Sequence, residues 1–325
     1  MESESKQVQQ KLEVLDILKE AVTIYVKNIN FIIFNLLTSL PFFCVMVYFE
    51  ILLQKTLVET PEIIKSLRFY ERDYGFGWVM YYHPFDRRPI TVKSFSKDYL
   101  PDLIQLGFIY SVPLHVLELC TAVVTMDLAS KLRSEENKMS LKQMFQASTD
   151  ISIMKGTLIT SLYMLFLSNC ILLAFPWIVN NSYMFFNTFG CFYFFMVICS
   201  LGVGKLLLVY VEWSAIWNMS IVISVLEEIY GVRALRLSYF FSRGNQERGL
   251  LLMLVFFVLG LCLRVSCVSL GCYKGGYGIF LQIGLFCVLT TVKWLSCMVY
   301  FYDCKERKME KKVGEKADED LESAS

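Results

Sequence analysis

Residues able to do chemistry are few and scattered in this chain. Two histidines, His83 and His115, are the whole supply of imidazole. His115 and Glu118 stand one helical turn apart, but a zinc shell takes four ligands and the other histidine lies in a different segment. The eleven cysteines contain no C-x-x-C pair and no zinc spacing. Most of them, Cys120, Cys170, Cys199, Cys262 and Cys287 included, sit in apolar runs, where a free thiol packs as a small hydrophobe. The run "GVGK" at 202–205 looks like part of a phosphate loop. Such a loop needs a glycine at 199 and Ser or Thr after the lysine; Cys199 and Leu206 stand there. No nucleophile–base pair or metal cluster can be assembled. The expectation is therefore no catalytic residue, no metal and no cofactor: a protein that is not an enzyme.

The informative charges are those inside apolar runs, because burying them is costly. They are Glu118, Lys205, Arg264 and Lys293. Counted from the outer face at 1.5 Å per residue, Glu118 and Lys293 fall at nearly the same depth, roughly 22–24 Å. Three outcomes stay open for these two: a clasp between hairpins, the lining of a polar path, or no contact at all. Lys205 lies close enough to the inner surface to snorkel. Arg264 has no acidic residue evidently level with it.

These positions matter only if helices carry them through a bilayer. The chain has 325 residues, 55% hydrophobic and 19% charged, with a mean hydropathy of +0.49. Soluble domains average about 25% charged residues. The apolar excess is clustered into runs of about 20 residues, the length needed to cross a bilayer core. Six spans are expected: 31–53, 103–129, 156–179, 184–211, 249–270 and 277–302. The start of the chain, "MESESKQVQQKLEVLDILKE", is polar and acidic, unlike a cleaved signal peptide. With both termini cytoplasmic, 19 basic residues fall inside; outside, one remains once the long loop 55–102 is set aside. Net charge is +1, too small a field to draw in nucleic acid.

Three connecting segments have helical amphipathicity. In Leu12 to Lys27, Asp16, Lys19, Glu20, Thr23 and Lys27 share a narrow face and apolar residues cover the rest. Leu141 to Ile151 repeats the pattern behind Ser140, a candidate N-cap. The third is "EEIYGVRALRLSYFFSRGNQERG", from Glu227 to Gly249. Gly231 and Gly244 bound a helix on which Arg233, Arg236 and Arg243 fall within an arc of about 80°. The stripe faces lipid phosphate, or it pairs with Glu227, Glu228 and Glu247 as a strut. Each element precedes a pair of spans, which predicts an all-α polytopic fold of three hairpins, each led by a cytoplasmic surface helix.

The segment "VLEEIYGVRALRLSYFFSRG" resembles a signature of plant multi-pass membrane proteins of unknown function. That family is distantly similar to bacterial membrane domains, including the one attached to some glycerophosphodiester phosphodiesterases. The matching positions are Glu228, Gly231, Ala234, Leu235, Ser238 and Gly244. "ILKEAVTIYVKN" and "FQASTDISIMKG" fit the same pattern, and the resemblance covers most of Leu12 to Tyr302 apart from the long outer loop. It implies a six-span bundle and brings no catalytic residue.

The organisation expected is a cytoplasmic N-terminus at 1–29, a membrane domain at 30–302 and a disordered charged tail at 303–325. The outer loop 55–102 is aromatic (Phe69, Tyr70, Tyr74, Phe76, Trp78, Tyr81, Tyr82, Phe85) and is expected to pack as a cap or lie at the interface. Cys304, beside the basic start of the tail, is a candidate for acylation. The partners implied are the bilayer of an endomembrane or the plasma membrane, anionic lipid within it, and proteins of unspecified identity. The function expected is that of a scaffold or lipid-organising protein. The alternative is a transporter or channel-like bundle using Glu118, Lys293 and Arg264.

Overall fold

A computed structural model describes residues 13–73, 100–134, 140–146, 151–189, 192–270 and 277–322. They form eleven α-helices and one π-helical turn, with no strand among the described residues. In chain order these are α1 (Val14–Lys27), α2 (Ile29–Thr38), α3 (Leu40–Asp73), α4 (Leu100–Ile109), the π turn (Tyr110–Leu114), α5 (His115–Ser134), α6 (Leu141–Gln146), α7 (Ile151–Phe189), α8 (Phe192–Leu226), α9 (Val232–Ser242), α10 (Gln246–Ser269) and α11 (Tyr277–Glu322). Among the described residues five helical stretches are long and apolar enough to cross a membrane, or up to six if the bent pair α1 and α2 is one span.

The chain divides into two compact units. Unit one holds Met1–Thr38, Leu119–Gly260 and Val288–Ser325. Its core gathers Ile17, Phe31, Val123, Met126, Met219, Val222, Leu252, Leu295, Met298 and Phe301. Asn35 of α2 ties this core together: its amide donates to Thr291 Oγ1 at 2.8 Å, and Thr125 Oγ1 donates to its carbonyl at 2.9 Å. Hydrogen bonds of this kind bind apolar helices that lipid would otherwise solvate equally well. Unit two holds Ser39–Glu118 and Leu261–Cys287, around Phe42, Met46, Phe49, Ile109, Leu114, Ile279 and Ile283.

A proline and an asparagine set the breaks at the start of the chain. The run expected as one span at 31–53 is parted at Ser39 into α2 and α3. Pro41 has no N–H for the Leu37 carbonyl and its ring crowds that oxygen, so a new helix begins with proline in its first turn. Between α1 and α2 the axis bends by 91° at Asn28. Asn28 is extended (φ −123°, ψ 104°) and its side-chain oxygen accepts the Asn30 N–H at 3.0 Å, capping the new helix. Pro113 is accommodated differently: it sits inside the π turn, a widening that relieves its clash one turn back.

Several boundaries differ from the sequence reading. Helix α3 carries on through Lys55 to Asp73, so the outer loop begins as helix. Residues 74–99, with His83 and most of the loop's aromatic residues, lie outside the described residues. The connection expected at 180–183 is helical, since α7 runs through Pro176 to Phe189, the residue before Gly190. The short α6 covers only the first part of the second surface segment, and 147–150 lie outside the described residues. Where a disordered tail was expected from 303, α11 stays helical to Glu322. Its Lys, Glu, Arg and Met residues are good helix formers and extend an existing helix, so no nucleation cost arises.

Candidate functional site

The first candidate surface is α9, and its seat is built from small residues. Ala234, Ser238 and Ser242 recur every four residues and are the buried face of the helix. Spacing of this kind lets two helix backbones approach closely. Ser238 Oγ donates to the Ile216 carbonyl of α8 at 2.7 Å, and Ser242 Oγ to the Ser238 carbonyl at 2.9 Å. The turn leading into α9 rests on α7. Thr160 Oγ1 accepts the Gly231 N–H at 2.8 Å and the Ser224 hydroxyl at 2.8 Å. Glu228 (φ 53°), Gly231 (φ 65°) and Gly244 (φ 93°) all have left-handed backbone, which glycine adopts without strain. Downstream, the Tyr300 hydroxyl donates to the Asn245 carbonyl at 3.0 Å, and Arg248 lies 3.7 Å from Asp303. Both ends of α9 are therefore anchored to neighbouring helices.

The opposite face of α9 is open. Arg233, Arg236 and Arg243 are exposed, and so are Val232, Tyr239 and Phe240, which share their arc. The stripe is a mixed guanidinium–aromatic surface rather than a purely polar edge. Among the described residues no ion pair is recorded for these three arginines, and the Glu227 carboxylate is taken by Lys305. Lys308 Nζ lies 5.0 Å from the Phe240 ring centroid, adding a fourth cation beside this face. Helix α1 has a related division. Val14, Ile17, Ala21 and Tyr25 are buried, Leu15, Val22 and Val26 are exposed, and Asp16, Lys19, Thr23 and Lys27 form the polar face. Arg133 pairs with Glu20 of α1 at 3.1 Å.

The second candidate lies in unit two and centres on Glu50 of α3. The carboxylate is completely buried, whereas the Arg264 side chain is 36% exposed. Arg264 grips Glu50 with a fork, Nε to Oε1 and Nη2 to Oε2, both at 3.0 Å. Gln54 donates to Glu50 Oε1 at 3.0 Å and to the Gln282 oxygen at 3.1 Å; Gln282 donates to the same Oε1 at 3.2 Å. The Cys267 thiol stands 3.8 Å from the Gln54 oxygen. Removing one partner from such a pair costs about 3–5 kcal/mol, because the other charge is left buried and unpaired. Arg264 thus has an acidic partner that the sequence reading missed. The signal was present: Glu50 and Gln54 are four apart, on one helical face of an otherwise apolar run.

The remaining residues singled out in the sequence are placed as follows. Glu118 is half-buried at the first turn of α5, within unit two. Lys293 belongs to unit one, with its ammonium 4.5 Å from the Trp294 ring centroid. Lys205 is exposed on α8, and the whole "GVGK" run is helical, which no phosphate loop is. Cys304 is fully buried, so its thiol is not available for acylation. Among the described residues no group of three His, Cys, Asp or Glu side chains is arranged to hold a metal ion. The chain matches no family model, no curated protein and no solved structure.

Proposed function

We propose that this is a non-enzymatic multi-pass membrane protein that organises lipid, with both termini cytoplasmic and surface helices α1 and α9 at the inner headgroup layer. The family suggested by the "VLEEIYGVRALRLSYFFSRG" segment accords with this reading. The observation that carries it is the open face of α9. Three arginines without a recorded ion pair stand among exposed Val232, Tyr239 and Phe240. Aromatic side chains favour the headgroup boundary, and each basic residue beside an anionic surface contributes about 1 kcal/mol. Three such residues amount to roughly a hundredfold preference for anionic over neutral lipid. The strut alternative loses Glu227, whose carboxylate is held by Lys305.

The test is to extract the full chain into polymer nanodiscs directly from the membrane and quantify the lipid that comes with it. Anionic lipid should be enriched over the bulk membrane. Replacing Arg233, Arg236 and Arg243 together by glutamine should lower that enrichment severalfold while the helix content stays unchanged. Unchanged enrichment with a lowered melting temperature would return the arginines to a strut role. The transport alternative draws on Arg264, but Glu50 is enclosed and accepts four hydrogen bonds, which favours a fixed joint over a moving gate.

A further inference from the structure

We infer that Arg264 is a phosphate-binding residue, held in place by Glu50 and offering its outer edge to a phospholipid headgroup or a phosphate-bearing solute. This rests on unit two alone and does not depend on the α9 stripe. A guanidinium carries five N–H donors in a planar fork. Glu50 takes one from Nε and one from Nη2. The two on Nη1 and the second on Nη2 have no recorded acceptor among the described residues.

The residues beside Arg264 in the chain are apolar: on α10, Leu261 and Val265, three before it and one after, are both exposed. Such residues on a membrane-spanning helix face hydrocarbon, where donors without acceptors are strongly disfavoured. The burial is also lopsided. The carboxylate is wholly enclosed while a third of the arginine is open. Arg264 stands five residues before α10 ends at Ser269, about 7.5 Å of helix rise. The fork with Glu50 therefore sits within the last two turns of α10, near the end of the span. Guanidinium binds phosphate through parallel charge-assisted hydrogen bonds. The bound Glu50 and the two glutamines orient the fork, so its open edge is fixed before any ligand arrives.

The full-length protein, delipidated in detergent, would be titrated with dioleoylphosphatidylcholine, with a galactosyl diacylglycerol lacking phosphate, and with inorganic phosphate. Bound lipid would be counted by native mass spectrometry and stability read by thermal melting. Wild type should bind phosphatidylcholine about tenfold more tightly than the galactolipid, the ratio of one charge-assisted hydrogen bond. Arg264→Gln should lose the preference. Because that variant strands Glu50, the neutral pair Glu50→Gln with Arg264→Gln serves as a second, and it too should lose it. Glu50→Gln alone keeps the guanidinium but releases it from its seat, so the preference should be weakened yet retained. A purely structural ion pair predicts instead that Glu50→Gln behaves like Arg264→Gln, and that result overturns the inference. So does a phosphatidylcholine preference that survives in the neutral double variant. If inorganic phosphate stabilises wild type but not the double variant, and displaces the lipid, the phosphate site stands with a soluble ligand. If it does neither, the site belongs to lipid.

Discussion

A methyl group on Gly156 would run into the ring of Tyr230, which lies directly over the glycine. The close approach belongs to the seat of the turn before α9 on α7. Gly156→Ala is expected to cost about 1–3 kcal/mol, as overpacking of a filled site does. Combining it with Tyr230→Ala should recover part of the loss, since the alanine then has nothing to strike. Thermal unfolding in detergent of the two single variants and the double variant measures the coupling. Strictly additive losses would mean that the two residues do not meet. The motif residues around them now have physical reasons. Gly231 and Gly244 occupy backbone that favours glycine. Ala234 and Ser238 are completely buried, and Ser238 bonds to the Ile216 carbonyl.

At the scale of the element, Thr160 is the point through which α9 is held. Its hydroxyl oxygen accepts from both Gly231 and Ser224. Thr160→Val keeps the shape and removes the acceptor, leaving a buried N–H without a partner at a cost of about 1–3 kcal/mol. Because the loss is local, hydrogen exchange should quicken at the amides of 231–235 before the rest of the chain responds. Equal exchange in both proteins would show that α9 is held by its serine face alone. The bounding glycines of α9, its helical period and its arginine arc were all legible in the sequence, because they are short-range properties. The structural helix, Val232–Ser242, ends one residue short of the expected Arg243. The break at Ser39 was legible in principle too, since Pro41 marks it. A proline inside an apolar run reads as tolerable until the chain is seen to restart there.

For the whole molecule, the count of crossings decides the sidedness. Five crossings place the termini on opposite faces of a membrane; six place them on the same face. The difference lies in the start of the chain, where α1 and α2 bend by 91° and α3 follows after the break at Ser39. With α1 at the surface as proposed, the sixth crossing falls to α3, whose 34 residues make about 51 Å of helix. Fluorescent reporters at the two termini, probed by protease in selectively permeabilised cells, should both be accessible from the cytoplasm. Protection of one terminus only would remove the start of the chain from the set of crossings and overturn the arrangement of three hairpins.

The sequence by itself determined that the chain is helical, apolar enough to cross a membrane several times, and supplied with amphipathic connecting segments. Those properties follow from composition and from a 3.6-residue period, both local. Only the tertiary structure decided which apolar residues face protein. On α1, Ile17 and Ala21 are buried while Leu15 and Val22 on the adjoining arc are open. No hydropathy pattern separates them, because lipid is as apolar as leucine and a lipid-facing side chain reads like a core one. Only the tertiary structure paired Arg264 with Glu50, 214 residues apart in the chain. Depth counting assigns a level along the membrane normal but no position around the bundle. An ion pair needs both, and the second coordinate exists only once the helices have packed.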